Sequence, residues 1–451
     1  GGRVLLRAPN TPMLVACWFA VLKAGGICVT TMPLLRAGEL QYIIDKVQIS
    51  HALCDIEFGD ALEEAGANAP GLEHLLYFSA AGSATDSATL ETLAEAKPGD
   101  FTNVDTAADD VALIAFTSGT TGSPKGTMHF HRDIIAATDC MPRYAAGITP
   151  DDIMAGTPPL AFTFGLGGLT LFPMRFGAST RFLSENTPDA LLAAIQDHGV
   201  TQLYTAPTAY RTIAELAGKY DISSLRQGVS AGETLPKATW EAFFGATGIR
   251  LIDGLGSTEL LHCFVSATPD NMRPGFTGTE IPGYRARVVG DDGEEVPPGM
   301  PGLLAVKGPT GCRYIDDETR QKDYVRDGWN YPGDVYEMSE DGYFRYISRA
   351  DDMIISAGYN IAGPEVEAAL LEHGQVAECA VVGVPDAERT NIVKAFVVLR
   401  DGAAAEPETA REMQDFVKSR IAPYKYPRAV EFVDALPKTQ TGKLQRFKLR
   451  G

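Results

Sequence analysis

No two of the seven cysteines, at positions 17, 28, 54, 140, 263, 312 and 379, form a Cys-x-x-Cys pair, and their number is odd. The pattern reads as reduced, mostly buried thiols in a cytosolic protein. Positive charge is also scarce: 39 lysines and arginines stand against 58 aspartates and glutamates, a formal charge of −19. A surface this acidic repels nucleic acid and anionic lipid, so an anionic ligand would need locally concentrated cations. The longest early apolar run, Pro12 to Leu22, is too short to span a bilayer. Arg3 and Arg7 ahead of it faintly mimic a signal peptide, but a strand-like Arg3-Val4-Leu5-Leu6 precedes the run and the chain opens Gly-Gly without Met. The run therefore reads as a buried helix, with no targeting segment, and the start reads as the inside of a domain. Internal repeats are absent.

What is present is a long chain of ordinary globular composition. Its 451 residues, 45% hydrophobic and 22% charged, are enough for two or three domains. Strand-like and helix-like segments alternate. Ala37 to Val47 is followed by His51 to Cys54, Pro188 to Gly199 by Thr201 to Thr205, and Pro236 to Gly248 by Ile249 to Ile252. Proline at helix starts and glycine at helix ends recur. This predicts an α/β fold, a large N-terminal domain of parallel sheets layered with helices. Turn-rich short strands, with Asp291-Asp292-Gly293 and Asp341-Gly342, add a β subdomain. After Ser348 the pattern becomes a small α+β unit: a helix from Gly363-Pro364 to Gly374, strands Glu378 to Val384, Val393 to Leu399 and Ala429 to Val433, and a helix opened by a Thr409/Glu412 capping box. The boundary is placed at Arg349 to Asp352, dividing the chain into residues 1–349 and 350–451. Ser79 to Ala88, rich in alanine, serine and glycine, reads as a surface loop.

Three segments carry chemistry. Thr117-Ser118-Gly119-Thr120-Thr121-Gly122-Ser123-Pro124-Lys125-Gly126-Thr127 follows an apolar strand, Val111 to Phe116. Its glycines let backbone N–H groups turn toward phosphate oxygens, and hydroxyls and Lys125 add donors. No Gly-Lys-Ser/Thr closes it, so it is not a Walker loop. Asp253-Gly254-Leu255-Gly256-Ser257-Thr258-Glu259 also follows an apolar strand and lacks the third glycine of a dinucleotide fingerprint. A carboxylate placed so suits an Mg²⁺ ion bridging phosphates. Pro437-Lys438-Thr439-Gln440-Thr441-Gly442-Lys443 could bring a lysine from the small unit to a site made by the large one; alone it reads as a solvated tail. His129 and His131 would share a face of a strand, but no third or fourth ligand is evident, and they read as structural.

In this order, together with Gly333-Asp334 and Arg349-Ala350-Asp351-Asp352, the segments resemble the acyl-adenylate-forming superfamily over essentially the whole chain. The resemblance implies ATP, Mg²⁺ and CoA as reactants and cofactors, a small-molecule carboxylic acid as substrate, a homodimer as the protein partner, no nucleic acid and no membrane, and a cytoplasmic location. It assigns Thr117, Ser118, Gly119, Thr120, Thr121, Gly122 and Lys125 to the β- and γ-phosphates. Ser230-Ala231-Gly232-Glu233 and Asp253, Gly254, Leu255, Gly256, Ser257 and Thr258 would enclose adenine and α-phosphate. Glu259, helped by Thr121, would hold Mg²⁺; Asp334 would accept from the ribose hydroxyls beside Arg349. Lys443 would meet the attacking carboxylate, Asp351 would be the hinge of a mobile C-terminal domain, and Ser356, Ala357, Gly358 and Tyr359 would line the pantetheine tunnel.

Within the superfamily, Pro159 to Gly168 and Gly256 to His262 are most similar to benzoate-type aryl-CoA ligases, the 2-aminobenzoate branch above all. That likeness puts Thr163, Phe164, Gly165, Tyr204, Ala206 and His262 around the acyl group. A short- or medium-chain fatty acyl-CoA synthetase and an enzyme loading a carrier-protein thiol are the alternatives; no Ser-bearing carrier segment follows Lys443. Tyr331-Pro332 departs from the small hydroxyl residue common before Gly333-Asp334, and the chain begins later than family members usually do, implying a missing N-terminal segment.

Overall fold

The computed structural model describes residues 1–80, 89–117, 124–356, 359–386, 390–421, 423–438 and 444–450. Two mainly parallel sheets form the large part. The first runs, edge to edge, His74–Phe78, His51–Asp55, Arg3–Arg7, Ile27–Thr31, Val111–Thr117 and Lys125–Phe130, and only the last pair is antiparallel. Successive side chains leave opposite faces of a strand. Thus Leu5 and Val29 pack with Leu40, Ile43 and Ile44 on one side. Leu6 and Cys28 join Leu14 and Trp18 on the other. The helix predicted at Pro12 forms as Pro12–Lys23, capped by the Thr11 side chain.

The second sheet runs Thr279–Glu280, Cys263–Ser266, Leu251–Gly256, Gln227–Ala231, Gln202–Thr205, Ile153–Gly156 and Ser179–Thr180. Its last five strands are parallel. Helices Pro188–His198 and Lys237–Thr247 end on Gly199 and Gly248, both left-handed, with φ of 66° and 70°. Glycine adopts that conformation without the Cβ clash that other residues meet. A third, antiparallel sheet is the β subdomain: Val325–Arg326, Trp329–Asn330, Gly302–Lys307, Asp334–Met338 and Phe344–Arg349, with Arg285–Val289 beside Gly302–Lys307.

The chain then passes through the turn Ala350–Asp352 into a separate C-terminal α+β unit. It has a short hairpin, Ile354–Ser356 with Tyr359–Ile361, and a sheet of Val376–Asp386, Thr390–Leu399 and Ala429–Phe432. Helices Gly363–Leu371 and Pro407–Arg420 cover a core of its own that includes Ile361, Val366, Val381, Met413 and Val417. Three local expectations are corrected. The last helix starts at Pro407 behind Glu406, so Thr409 lies inside it and its hydroxyl donates to Ala404 O at 2.9 Å; no Thr409/Glu412 capping box forms. Proline's fixed φ favours the first helical position and outcompetes the later start. The helix from Gly363 ends at Leu371, ahead of Gly374. His129 and His131 do not share a strand, because His131 opens the helix His131–Asp139.

Candidate active site

The phosphate-loop sequence joins two antiparallel strands, with Thr117 opposite Lys125. Ser118, Gly119, Thr120, Thr121, Gly122 and Ser123 lie outside the described residues. Lys125 is half-buried, and burial lowers its pKa; Arg320 and Arg349 push the same way, while Glu259 and Asp317 oppose them. Three cations therefore share one neighbourhood with Glu259 and Asp317, Arg320 being paired to Asp317 and Arg349 to Asp334. Arg320 was not legible as part of this group, since it sits in an unremarkable polar helix, Glu318–Tyr324.

Glu259 sits in the short turn Thr258–Leu260, whose start is capped by Ser257 Oγ accepting from Leu260 N at 3.2 Å. Two further contacts fasten the turn. Buried His129 donates from Nε2 to Thr258 O at 2.8 Å, tying the turn to the strand that follows the phosphate loop. Tyr314 Oη donates to Glu259 Oε1 at 2.8 Å. Burial, then the Glu259 charge, hold the Tyr314 phenol well above its usual pKa, so the hydroxyl keeps its proton and is the donor. No hydrogen bond reaches Glu259 Oε2 among the described residues. Mg²⁺ takes one or two protein carboxylates and completes its shell with water and substrate phosphates. A buried carboxylate with one oxygen in reserve, beside Lys125, fits that ion.

Ser230 and Asp253 lie opposite each other at the carboxyl ends of adjacent parallel strands. Both are buried, and among the described residues Ser230 Oγ and Asp253 Oδ1 have no hydrogen-bonding partner. Burial raises the Asp253 pKa to about 7, against hydrogen bonds from the Leu235 and Gly254 backbone and from Thr277. Two buried polar atoms thus lie side by side at the strand ends where open α/β sheets bind ligands. Ala231 ends its strand, Gly232 has φ of 91°, and Glu233 follows half-buried. Gly254, Leu255 and Gly256 continue the strand of Asp253. Asp334, buried at the start of its strand, faces Arg349, which donates from Nη1 to Asp334 Oδ1 at 3.1 Å and to Pro332 O at 2.7 Å. Tyr331-Pro332 thus supplies a backbone anchor for the arginine in place of a hydroxyl side chain.

The proposed acyl residues meet in part. The Phe164 ring lies 5.9 Å from Tyr204 and 5.8 Å from His262, and Phe172 packs edge-on to His262 at 4.4 Å. Thr163 and Gly165 flank Phe164 in the turn Thr163–Leu166, and Ala206 caps the helix Pro207–Leu216 two residues after Tyr204. A π-helical turn, Gly167–Leu171, follows. Side chains at Gly167 and Gly168 would overlap the His262 and Tyr204 rings. Leu261 has φ of 70° and ψ of −40°, and His262 N donates to Leu260 O at 2.9 Å. This is a strained three-residue γ-turn, and it throws the imidazole inward. Burial drives the His262 pKa down to about 3, against a smaller pull from the Phe164 backbone near the ring, so the ring is neutral, and among the described residues neither nitrogen makes a well-formed hydrogen bond.

In the C-terminal unit Ser356 is buried, with Oγ unpartnered among the described residues, and Tyr359 opposes it across the hairpin. Ala357 and Gly358 lie outside the described residues, as does Lys443. Lys438 and Leu444 form an antiparallel bridge, and Arg446 binds Glu367 at 2.7 Å. Asp351 belongs to the turn Ala350–Asp352. Arg211 of the large part donates to Ala377 O at 2.7 Å, joining the two units. Among the described residues no helix is long and apolar enough to cross a membrane.

The family described as AMP-binding enzyme matches residues 1–313, and AMP-binding enzyme C-terminal domain matches residues 365–443. Benzoate–CoA ligase of Thauera aromatica is 35% identical, over 96% of this chain and 82% of that protein. The structure of anthranilate CoA ligase AuaEII in complex with anthranoyl-AMP superposes with a TM-score of 0.92 at 33% identity, covering 100% of this chain and 87% of that one. A benzoate CoA ligase from Burkholderia xenovorans LB400 gives 0.89 at 32%, covering 100% and 89%. The chain belongs to the AMP-binding enzyme family, in the branch that holds the aryl-CoA ligases, and is an AMP-forming acyl-CoA synthetase.

Proposed function

We propose that the chain activates a benzoate-type acid, 2-aminobenzoate above all, and transfers it to CoA. The observation that carries this is the neutral, buried His262, whose two nitrogens make no well-formed hydrogen bond among the described residues, beside Phe164 and Tyr204. An orphaned buried imidazole costs about 1–3 kcal/mol unless a ligand satisfies it. A flat ring among aromatics, bearing a polar ortho group for the imidazole, does so; an alkyl chain does not. The ligases of benzoate and anthranilate among its relatives support the same class.

In the first step an oxygen of the substrate carboxylate attacks the α-phosphorus of ATP. The bond to the bridging oxygen breaks, pyrophosphate leaves, and the acyl-adenylate remains. Lys125 and the 117–122 loop would hold the departing phosphates, Asp253 and Ser230 the adenine, and Asp334 the ribose. An Mg²⁺ ion held by Glu259, with Thr121, would neutralise phosphate charge. Lys443 would offset charge between carboxylate and α-phosphate, since preorganised cations lower such a barrier more than mobile ones. In the second step the CoA sulfur, its proton lost, attacks the acyl carbon and AMP leaves. Residues 356–359 would guide the pantetheine arm after residues 350–451 turn about Asp351.

Acid-dependent pyrophosphate release with CoA present, over benzoate, its 2-amino and hydroxy derivatives and hexanoate, tests the reading. Benzoate-type acids are expected to lead in kcat/KM, and His262→Leu to cut the preference for 2-aminobenzoate over benzoate roughly three- to tenfold, the contribution of one ordinary hydrogen bond. A preference for hexanoate overturns the aryl assignment.

A further inference from the structure

We propose that Tyr314 is a positioning residue for adenylation: its phenol occupies Oε1 of Glu259 and so reserves Oε2 for the Mg²⁺ ion of the bound nucleotide. The inference rests on the reading of Glu259 as the metal-holding carboxylate. The last torsion of a glutamate side chain is broad and roughly two-fold. An untethered carboxylate therefore spreads its oxygens over many orientations. Tyr314 removes that freedom with a bond of 2.8 Å made inside the fold.

Tyr314 is itself held on three sides. Its ring packs edge-on against Tyr324 at 5.7 Å, and the Tyr324 hydroxyl meets Ser257 Oγ at 3.3 Å, on the turn that carries Glu259. Its N–H donates to Gln321 Oε1 at 2.8 Å. Its backbone bridges Thr127, with Met128 N donating to Arg313 O and Ile315 N to Gly126 O. Gly126 permits this approach, since a Cβ there would lie 2.9 Å from Ile315 Cγ2. Tyr314 thus links the strand leaving the phosphate loop to the carboxylate of the neighbouring turn. A tyrosine that merely satisfied a buried carboxylate would need no such tie to the phosphate strand.

The test uses the full chain and calorimetric titration of a non-hydrolysable ATP analogue, with and without Mg²⁺. Tyr314→Phe keeps the ring packing and removes only the donor. The affinity gained on adding Mg²⁺ is expected to shrink about tenfold, the lower end of what a hydrogen bond to a charged group contributes. Metal-free affinity stays at the wild-type value, and the Mg²⁺ concentration that gives half-maximal adenylation rises in parallel with the lost affinity gain. Combining Tyr314→Phe with Glu259→Gln should do no more than Glu259→Gln alone, since the two act on one contact. Equal weakening with and without Mg²⁺, or no weakening, overturns the proposal while Glu259→Gln still abolishes the gain. A Glu259→Gln variant that keeps the full gain overturns both this proposal and the metal reading beneath it.

Discussion

Asp253 shows what one buried carboxyl does to the resting enzyme. Its folded-state pKa is raised to about 7 by burial, whereas an unfolded aspartate titrates near ~3.9. Between those values the folded chain keeps a proton that the unfolded chain has lost. This group's contribution to stability therefore falls as pH rises from about 4 to about 7 and is flat above. Asp253→Asn has no such proton to lose. In the absence of nucleotide, its melting temperature relative to wild type is expected to climb across that window and level off beyond it; a constant difference would mean that the carboxyl titrates normally. Asp253 stood out in the sequence as a candidate site residue, but its protonation did not, because burial depends on the folded surroundings and is only partly offset there by the Leu235 and Gly254 backbone and by Thr277.

At the scale of elements, the acyl wall depends on two irregularities: the γ-turn at Leu261 and the π-helical turn Gly167–Leu171. Neither has a propensity signature, since leucine at positive φ is chosen by its surroundings, against a local cost of about 1–3 kcal/mol. Gly167 is the point where the two meet. Gly167→Ala places a methyl group into the His262 ring, which must turn away. The expected outcome is a fall of at least about tenfold in kcat/KM for the preferred aryl acid. The KM for ATP should change far less, because the added methyl group meets His262 and Phe172 and none of the residues assigned to the nucleotide. Equal losses for acid and ATP would place Gly167 in the general packing. Regular elements were easier to read. Pro188 and Gly199 bound their helix as predicted, whereas Thr409 was mistaken for a cap because Pro407, two residues earlier, starts the helix first.

The whole molecule carries −19 formal charges yet gathers Lys125, Arg320 and Arg349 around one spot. Gathering cations in one place is what the proposed phosphate site of an acidic chain requires. The two-step reading assigns Lys443 to the adenylation arrangement alone. Lys443→Ala is expected to slow acyl-adenylate formation about 10²–10³-fold, the usual loss for one preorganised donor. It should convert chemically prepared aryl-AMP plus CoA at near the wild-type rate. If both half-reactions fall together at an unchanged melting temperature, the alternation of residues 350–451 between two tasks is wrong. If neither changes, Lys443 is a solvated tail residue.

By itself, the order of residues determined the family, the layered α/β architecture and most of the charged groups, Arg320 excepted. Glycine-rich turns after apolar strands, and lysine or glutamate at their ends, are local patterns with local physical causes. Tertiary structure alone decided which groups face one another. Tyr314 lies 55 residues from Glu259, and His129 lies 129 residues from Thr258. Hydrogen bonds across such separations follow from sheet register and core packing, which close only when the whole chain is folded, so no window of sequence contains them.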